Sequence, residues 1–194
     1  MSRLDNPRDK MVQSAALLMR EHGVENTSFS QVVAHSGAPR GSIYHYFPGG
    51  KAQLVEEAVR WSGDVMSQAF RHRLEAGDPL ELLDTSEAFW RGVLEGSDFA
   101  AGCPVAAGSL EAERTPAVRD AAGEVFAEWQ DVIAAGLAEH GVPDIRARSL
   151  AAVIFASIEG AVLMARAQRS MAPVEATIAE LKRLVADALR EAEG

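Results

Sequence analysis

The chain has 194 residues, 47% of them hydrophobic and 24% charged, with a formal net charge of −9, a composition that suits a globular core and excludes a disordered chain. A lone cysteine, Cys103, excludes an internal disulfide framework, the polar stretch from Met1 to Lys10 is no signal peptide, and no apolar run reads as approaching the ~20 residues of a membrane span, so a cytoplasmic protein with no membrane partner is expected. The acidity is uneven: residues 1–54 carry six Lys and Arg against four Asp and Glu and the remainder 13 against 24, so the acidic total does not exclude nucleic acid as a partner of the first segment.

No stretch alternates as a β-hairpin does. Nearly all of the chain repeats its apolar residues at helical spacing, bounded by Gly, Pro, Asp or Ser. The first helix opens at Asn6-Pro7, where Asn caps and Pro costs no hydrogen bond, carries Met11, Val12, Ala15, Leu18 and Met19 on one face, and stops at Gly23. A second follows Ser28, spaced from Gln31 as in a capping box, and ends at Gly37. A third is predicted from Pro39, with Ile43 and Phe47 on one face, until Pro48-Gly49-Gly50 breaks it. A longer helix runs over 51–75 and another over about 79–95. A Gly-rich turn from Gly96 to Pro104 and a short apolar piece from Val105 to Glu113 come next. Helices over about 116–139, 144–170 and 174–192 complete the chain. The expected fold is all-α with about nine helices: a domain over residues 1–50, and a second over 51–194 whose first helix, 51–75, connects the two.

The stretch from Thr27 to Leu54 carries the chemistry. Two short helices joined by a turn at His35-Ser36-Gly37-Ala38, with Gly where the chain needs positive φ, form a helix-turn-helix. Burying Ile43 and Phe47 leaves Arg40, Gly41, Ser42, Tyr44 and His45 on the other face, at the end where a helix offers free N–H groups to phosphates. Arg40 can bind guanine bidentately, Gly41 lets backbone approach a duplex, and Lys51 adds charge at the start of the next helix. This is the pattern of a double-stranded DNA reader.

Gly23, Thr27, Ser36-Gly37-Ala38, Gly41-Ser42-Ile43-Tyr44, Phe47, Lys51 and Leu54 follow the order and spacing of the N-terminal domain of TetR-family regulators, which the first 55 or so residues resemble. The resemblance implies a homodimeric repressor that binds a palindromic operator and is released by a small apolar or aromatic effector, with no catalytic residue, metal or cofactor. It also implies that the third helix enters the major groove. There the residues matching Arg40, Gly41, Ser42, Tyr44 and His45 meet bases or phosphates, and those matching Thr27, Ser28, Tyr46 and Lys51 touch the DNA backbone. In one departure, three residues, Pro48-Gly49-Gly50, stand between Phe47 and Lys51 where the family pattern has two. That form, with Gly102-Cys103-Pro104-Val105 and Ser109-Leu110-Glu111, resembles the LmrA/YxaF-like branch.

The resemblance further implies an effector pocket in the second domain, with Met66, Phe70, Phe89, Trp90, Phe126, Trp129 and Phe155 as apolar lining and Gln130 and Glu159 as polar members. Read from the residues alone, most of the apolar ones are core, and a ligand cavity would be lined by the same residue types. Ala152, Ala156 and Gly160 recur every four residues, a flat stripe that allows close helix approach. With Leu181, Leu184 and Leu189 on the last helix, it reads as a two-fold four-helix interface. The five histidines never pair at three- or four-residue spacing, which argues against zinc, and Cys103 reads as a small buried hydrophobe. Two other classes compete: a helical small-molecule enzyme using Cys103 or a His–Glu pair, and a helical adaptor. The first lacks a convergent acid, base and nucleophile; the second leaves Arg40-Gly41-Ser42 without a purpose.

Overall fold

A computed structural model describes residues 6–39, 41–77, 79–110 and 115–192. Within them lie nine α-helices and no strand: α1 (Pro7–His22), α2 (Phe29–Ser36), α3 (Ser42–Tyr46), α4 (Gly50–Ala76), α5 (Pro79–Gly96), α6 (Pro104–Ser109), α7 (Pro116–Glu139), α8 (Asp144–Gln168) and α9 (Ala172–Ala192). The all-α expectation holds, and most boundaries follow the capping chemistry. Asn6 accepts from the Arg8 N–H with Pro7 in the first turn, and Gly23, at φ 77°, ends α1 with its N–H on the Met19 carbonyl. Ser28 and Gln31 form the reciprocal capping box of α2, which closes on Gly37 in the left-handed region.

The third helix differs from its prediction. It begins at Ser42, not Pro39, and has five residues. Pro39 instead lends its carbonyl to the Ser42 N–H at 3.0 Å and to the Ser42 hydroxyl at 2.7 Å, a turn that caps the helix from outside. The joint between the two helices therefore runs from Gly37 to Gly41, longer than the four residues expected.

The chain packs as two compact units, residues 1–64 with 103–126 and residues 65–102 with 127–194. This division is one of packing and falls inside α4, whereas the division expected at residues 50/51 is one of role.

The first unit holds α1–α3, the opening of α4, α6 and the opening of α7. Its centre is Met11, Ala15, Met19, Val32, Ile43, Phe47, Leu54, Ala58, Val105 and Val118, each 1% exposed or less. Burial of ten such side chains, at roughly 1.5–3 kcal/mol for each of the larger ones, is what fixes α1, α2 and α3 on one another. Outside this centre, Arg60 bridges Glu56 on α4 and Glu124 on α7 at 3.1 and 2.6 Å, and these pairs raise its pKa.

The second unit packs α5, α8 and α9 together with the later parts of α4 and α7. Leu83, Leu94, Leu137, Leu150, Val174, Ile178 and Val185 are each 1% exposed or less. Arg91 on α5 reaches Glu175 on α9 at 2.7 Å, and Lys182 pairs with Asp84. One expectation is corrected here. α8 is long and apolar enough to cross a membrane by length and composition, because only Glu159 is charged between Arg148 and Arg166. In this unit it is a core helix, with Ala147, Leu150, Ala151, Ile154, Phe155, Ile158, Ala161, Val162 and Ala165 buried.

Candidate nucleic-acid interface

The short third helix is set by what it buries. Ile43 and Phe47 are each 1% exposed, so the other side chains of the helix are turned away from the core: Tyr44 is 71% exposed, His45 is exposed, and Ser42 and Tyr46 are half-buried. Gly41, at the open end, is exposed, and a Cβ there would meet nothing within 4 Å. Tyr44 is steadied by an edge contact with Phe29 of α2 at 5.5 Å, and His45 by one with Tyr46 at 5.5 Å. The structure thus gathers Gly41, Ser42, Tyr44 and His45 on one solvent-facing surface. Arg40, the foremost base contact among the expectations, lies outside the described residues.

The residues expected at the DNA backbone divide. Ser28 is exposed, with its hydroxyl engaged in the α2 cap and within 3.0 Å of the Ser30 hydroxyl. Thr27 is a correction: it is 2% exposed and its hydroxyl donates to the Gly23 carbonyl at 2.8 Å. Its hydroxyl is consumed in closing the α1–α2 loop, so Thr27 is a strut of the turn and presents nothing to a partner. Lys51 sits in the first turn of α4 and donates to the Glu25 carbonyl at 2.9 Å. Beside it opens a cleft of about 470 Å³ lined by Val24, Glu25, Asn26, Lys51, Ala52, Val55 and Thr115, which the sequence did not signal because its walls come from three separated stretches.

The extra residue before Lys51 is absorbed locally. Gly50 takes φ 74°, its N–H donates to the Phe47 carbonyl at 3.0 Å, and the Gly49 N–H donates to Gln53 Oε1 at 2.8 Å. A Cβ on Gly49 would come within 3.0 Å of that same oxygen, so the pair of glycines serves two needs: one a left-handed turn, the other a side chain lying close across it. Gln53 was missed in the sequence because its role exists only once the turn is built.

In the second unit, Phe70, Trp129 and Phe155 meet. Phe70 stands edge-on to Trp129 at 5.9 Å and to Phe155 at 5.7 Å, and Trp129 and Phe155 stack at 5.6 Å. Phe89 and Trp90 form a separate pair at 5.2 Å, with Phe89 41% exposed. Met66, Gln130 and Glu159 are half-buried, and Phe126 belongs to the first unit. The proposed effector set is therefore brought together in part, around the aromatic trio.

On α8, the stripe Ala152, Ala156 and Gly160 is exposed, and it lies on one face with Val153, Leu163 and Met164, which are 44%, 65% and 52% exposed. At 100° per residue this face also takes in Ile145, Ser149 and Ala167, all exposed, and its one charged residue is Arg146, at the margin it shares with Met164. Met164, which as an apolar helical residue would be core by default, is on the surface. Leu181 is corrected in the opposite sense: it is 4% exposed, in the middle of the α9 stripe buried within its own unit, so it cannot also face a second chain. Leu184 and Leu189 are half-buried on opposite margins of that stripe.

Cys103 is 8% exposed and caps α6, its sulfur accepting the Ala106 N–H at 3.4 Å. Near it lies Arg20, whose Nε is buried without a partner; burial depresses its pKa, and Cys103 and Glu21 act in the opposite sense.

Residues 12–58 match the family described as bacterial regulatory proteins, tetR family, and residues 79–180 match transcriptional regulator LmrA/YxaF-like, C-terminal domain. The chain is 43% identical over 194 residues to an uncharacterized HTH-type transcriptional regulator, Rv0196 of Mycobacterium tuberculosis, covering 97% of this chain and 98% of that protein. It is 32% identical over 174 residues to the HTH-type transcriptional regulator LmrA of Bacillus subtilis, covering 86% and 90%. Among solved structures, a TetR transcriptional regulator from Legionella pneumophila superposes with a TM-score of 0.82 at 17% identity, covering 94% of this chain and 98% of that one. A helix-turn-helix with an exposed, polar third helix, followed by a helical unit that matches a regulator's C-terminal domain, replaces the enzyme and adaptor readings, and the chain belongs to the TetR family of DNA-binding transcriptional regulators, in its LmrA/YxaF-like branch.

Proposed function

We propose that the protein is a homodimeric cytoplasmic repressor whose α3 helices read the two halves of a palindromic operator and whose second domain, residues 51–194, binds a small apolar or aromatic effector that releases the DNA. The observation that carries the reading is the outward set of Gly41, Ser42, Tyr44 and His45 over the buried Ile43 and Phe47. In it, these residues and Arg40 meet bases and nearby phosphates, while Ser28, Tyr46 and Lys51 meet the backbone. Lys51 exchanges the Glu25 carbonyl for a phosphate when DNA arrives. One short helix reads few bases, so a symmetric pair on half-sites about one turn apart, roughly 34–36 Å, supplies the rest of the specificity.

The effector is assigned to the neighbourhood of Phe70, Trp129 and Phe155, with α4 as the link because its 27 residues contribute to both units. Ligand that shifts α4 changes the spacing of the two α3 helices. A coupling of about 1–3 kcal/mol, or 5–150-fold in operator affinity, is enough for regulation.

The test is fluorescence anisotropy of the protein on the duplex it selects from a randomised library, against a scrambled duplex, over a salt series. Tight binding of two chains to the selected duplex is expected, and Arg40→Ala and Tyr44→Ala each weaken it by about 1–3 kcal/mol per half-site without loss of helical content. Equal, salt-sensitive binding to both duplexes would leave only phosphate attraction and remove α3 as the reader.

A further inference from the structure

α3 has five residues, too few to hold a direction by its own hydrogen bonds, so its aim has to be imposed from outside. Its C-terminal end is held by a closed circuit of contacts. Phe47 caps the helix, its N–H on the Ile43 carbonyl at 2.9 Å. Two residues on, the Gly49 N–H donates to Gln53 Oε1 at 2.8 Å, and the other end of the same amide, Gln53 Nε2, donates to Glu57 Oε1 at 3.0 Å. Glu57, one turn further along α4, receives the guanidinium of Arg8 from α1 at 2.6 Å. Arg8 closes the circuit by lying over the Phe47 ring, 5.3 Å from its centroid. The amide of Gln53 is used at both ends, and the guanidinium at both its edge and its face.

Arg8 stands at the start of α1 and is about one-third exposed, where an isolated arginine would read as a phosphate contact. Here its charge is already met by Glu57 and its plane by Phe47. We propose that Arg8, Glu57 and Gln53 are positioning residues for DNA reading: they fix the end of α3, and with it the angle at which Tyr44 and His45 are presented, and Arg8 itself neutralises no phosphate. The proposal rests on the reading of α3 as the element that meets DNA. Planarity matters to the arrangement, because only a guanidinium can pair edge-on with a carboxylate and stack face-on over a ring.

The experiment compares the wild-type protein with Arg8→Met, Arg8→Lys and Gln53→Ala. Each is titrated over a salt series on the duplex that the wild-type protein selects from a randomised library and on a scrambled duplex. Circular dichroism and thermal melting are followed in parallel. The expected result is a loss of roughly tenfold in affinity for the selected duplex in all three, with scrambled-duplex affinity and the salt slope unchanged. Arg8→Lys keeps the charge and loses the fork, so it does not restore the affinity.

A salt slope lowered by about 0.9 per chain in Arg8→Met, with recovery in Arg8→Lys, would make Arg8 a phosphate contact and overturn the proposal. Unchanged affinity for the selected duplex, or parallel losses on both duplexes, would overturn it as well. Should Arg8→Met melt early, Gln53→Ala carries the test, since it leaves the Arg8–Glu57 pair in place. If the wild-type protein selects no sequence, the reading of α3 fails; if it selects one that the variants bind equally well, only the positioning role fails.

Discussion

At Gly63 a Cβ would stand 2.6 and 2.8 Å from the two methyl carbons of Val125, and at Gly108 it would stand 2.8 Å from a methyl of Val59. In the first unit α4 is therefore approached by α7 and by α6 closely enough that a methyl group has no room. Gly63→Ala would gain about 1 kcal/mol of helix propensity and lose about 1–3 kcal/mol to overpacking, so a net loss of stability of up to about 2 kcal/mol is expected. Val125→Ala in the same chain opens the space, and urea denaturation of the four-member cycle should show the double variant to be more stable than the two single effects add up to. Strict additivity would mean that Val125 is not the obstacle. Neither glycine could be interpreted from the sequence, where a glycine inside a helical pattern signals only weakness. The same limit applied to Thr27: its place in the motif was visible, but whether its hydroxyl faces solvent or the Gly23 carbonyl is decided by how the α1–α2 loop closes.

Elements were legible where their ends are written in short-range chemistry. The cap at Asn6, the box at Ser28 and Gln31 and the stop at Gly37 are all local, and all are present. α3 was read too long because Pro39 is a good first helical residue in isolation, whereas here its carbonyl is spent on Ser42 and the helix starts afterwards. Ser28 carries both an element-scale role and a proposed contact with DNA, and two variants part them. Ser28→Ala removes the cap and should cost about 1 kcal/mol of stability in thermal or chemical denaturation. Ser28→Asp keeps a capping oxygen but sets a carboxylate where a phosphate would approach. It should hold the stability and lose DNA affinity, most strongly at low salt. DNA affinity in Ser28→Asp equal to that of wild type would place the phosphates elsewhere.

At the scale of the whole molecule, the question is which apolar surface a second copy would cover. An apolar residue in a sequence reads as core by default, so Leu163 and Met164 carry no interface signal there and Leu181 carries a false one; only the folded unit shows which stripe its own neighbours have already used. α9 has one broad apolar face and spends it on α5 and α8. α8 is apolar over most of its surface, so after its inward face is buried a second one remains, about 120° wide, centred on small residues and charged only at its margin, by Arg146. Monomeric proteins rarely leave such a patch in water, which supports α8 as the centre of the proposed homodimer. Leu163 is 65% exposed, so Leu163→Glu should leave the isolated chain's fold and melting almost unchanged. Pairing across a two-fold axis would bury that carboxylate twice without a partner, at a cost of several kcal/mol, enough to turn a dimer into monomers at micromolar concentration. Sedimentation equilibrium should then give the mass of one chain, and binding to the selected duplex should fall to what a single α3 can hold. A variant that still sediments as a dimer and still binds tightly would move the interface off this face of α8.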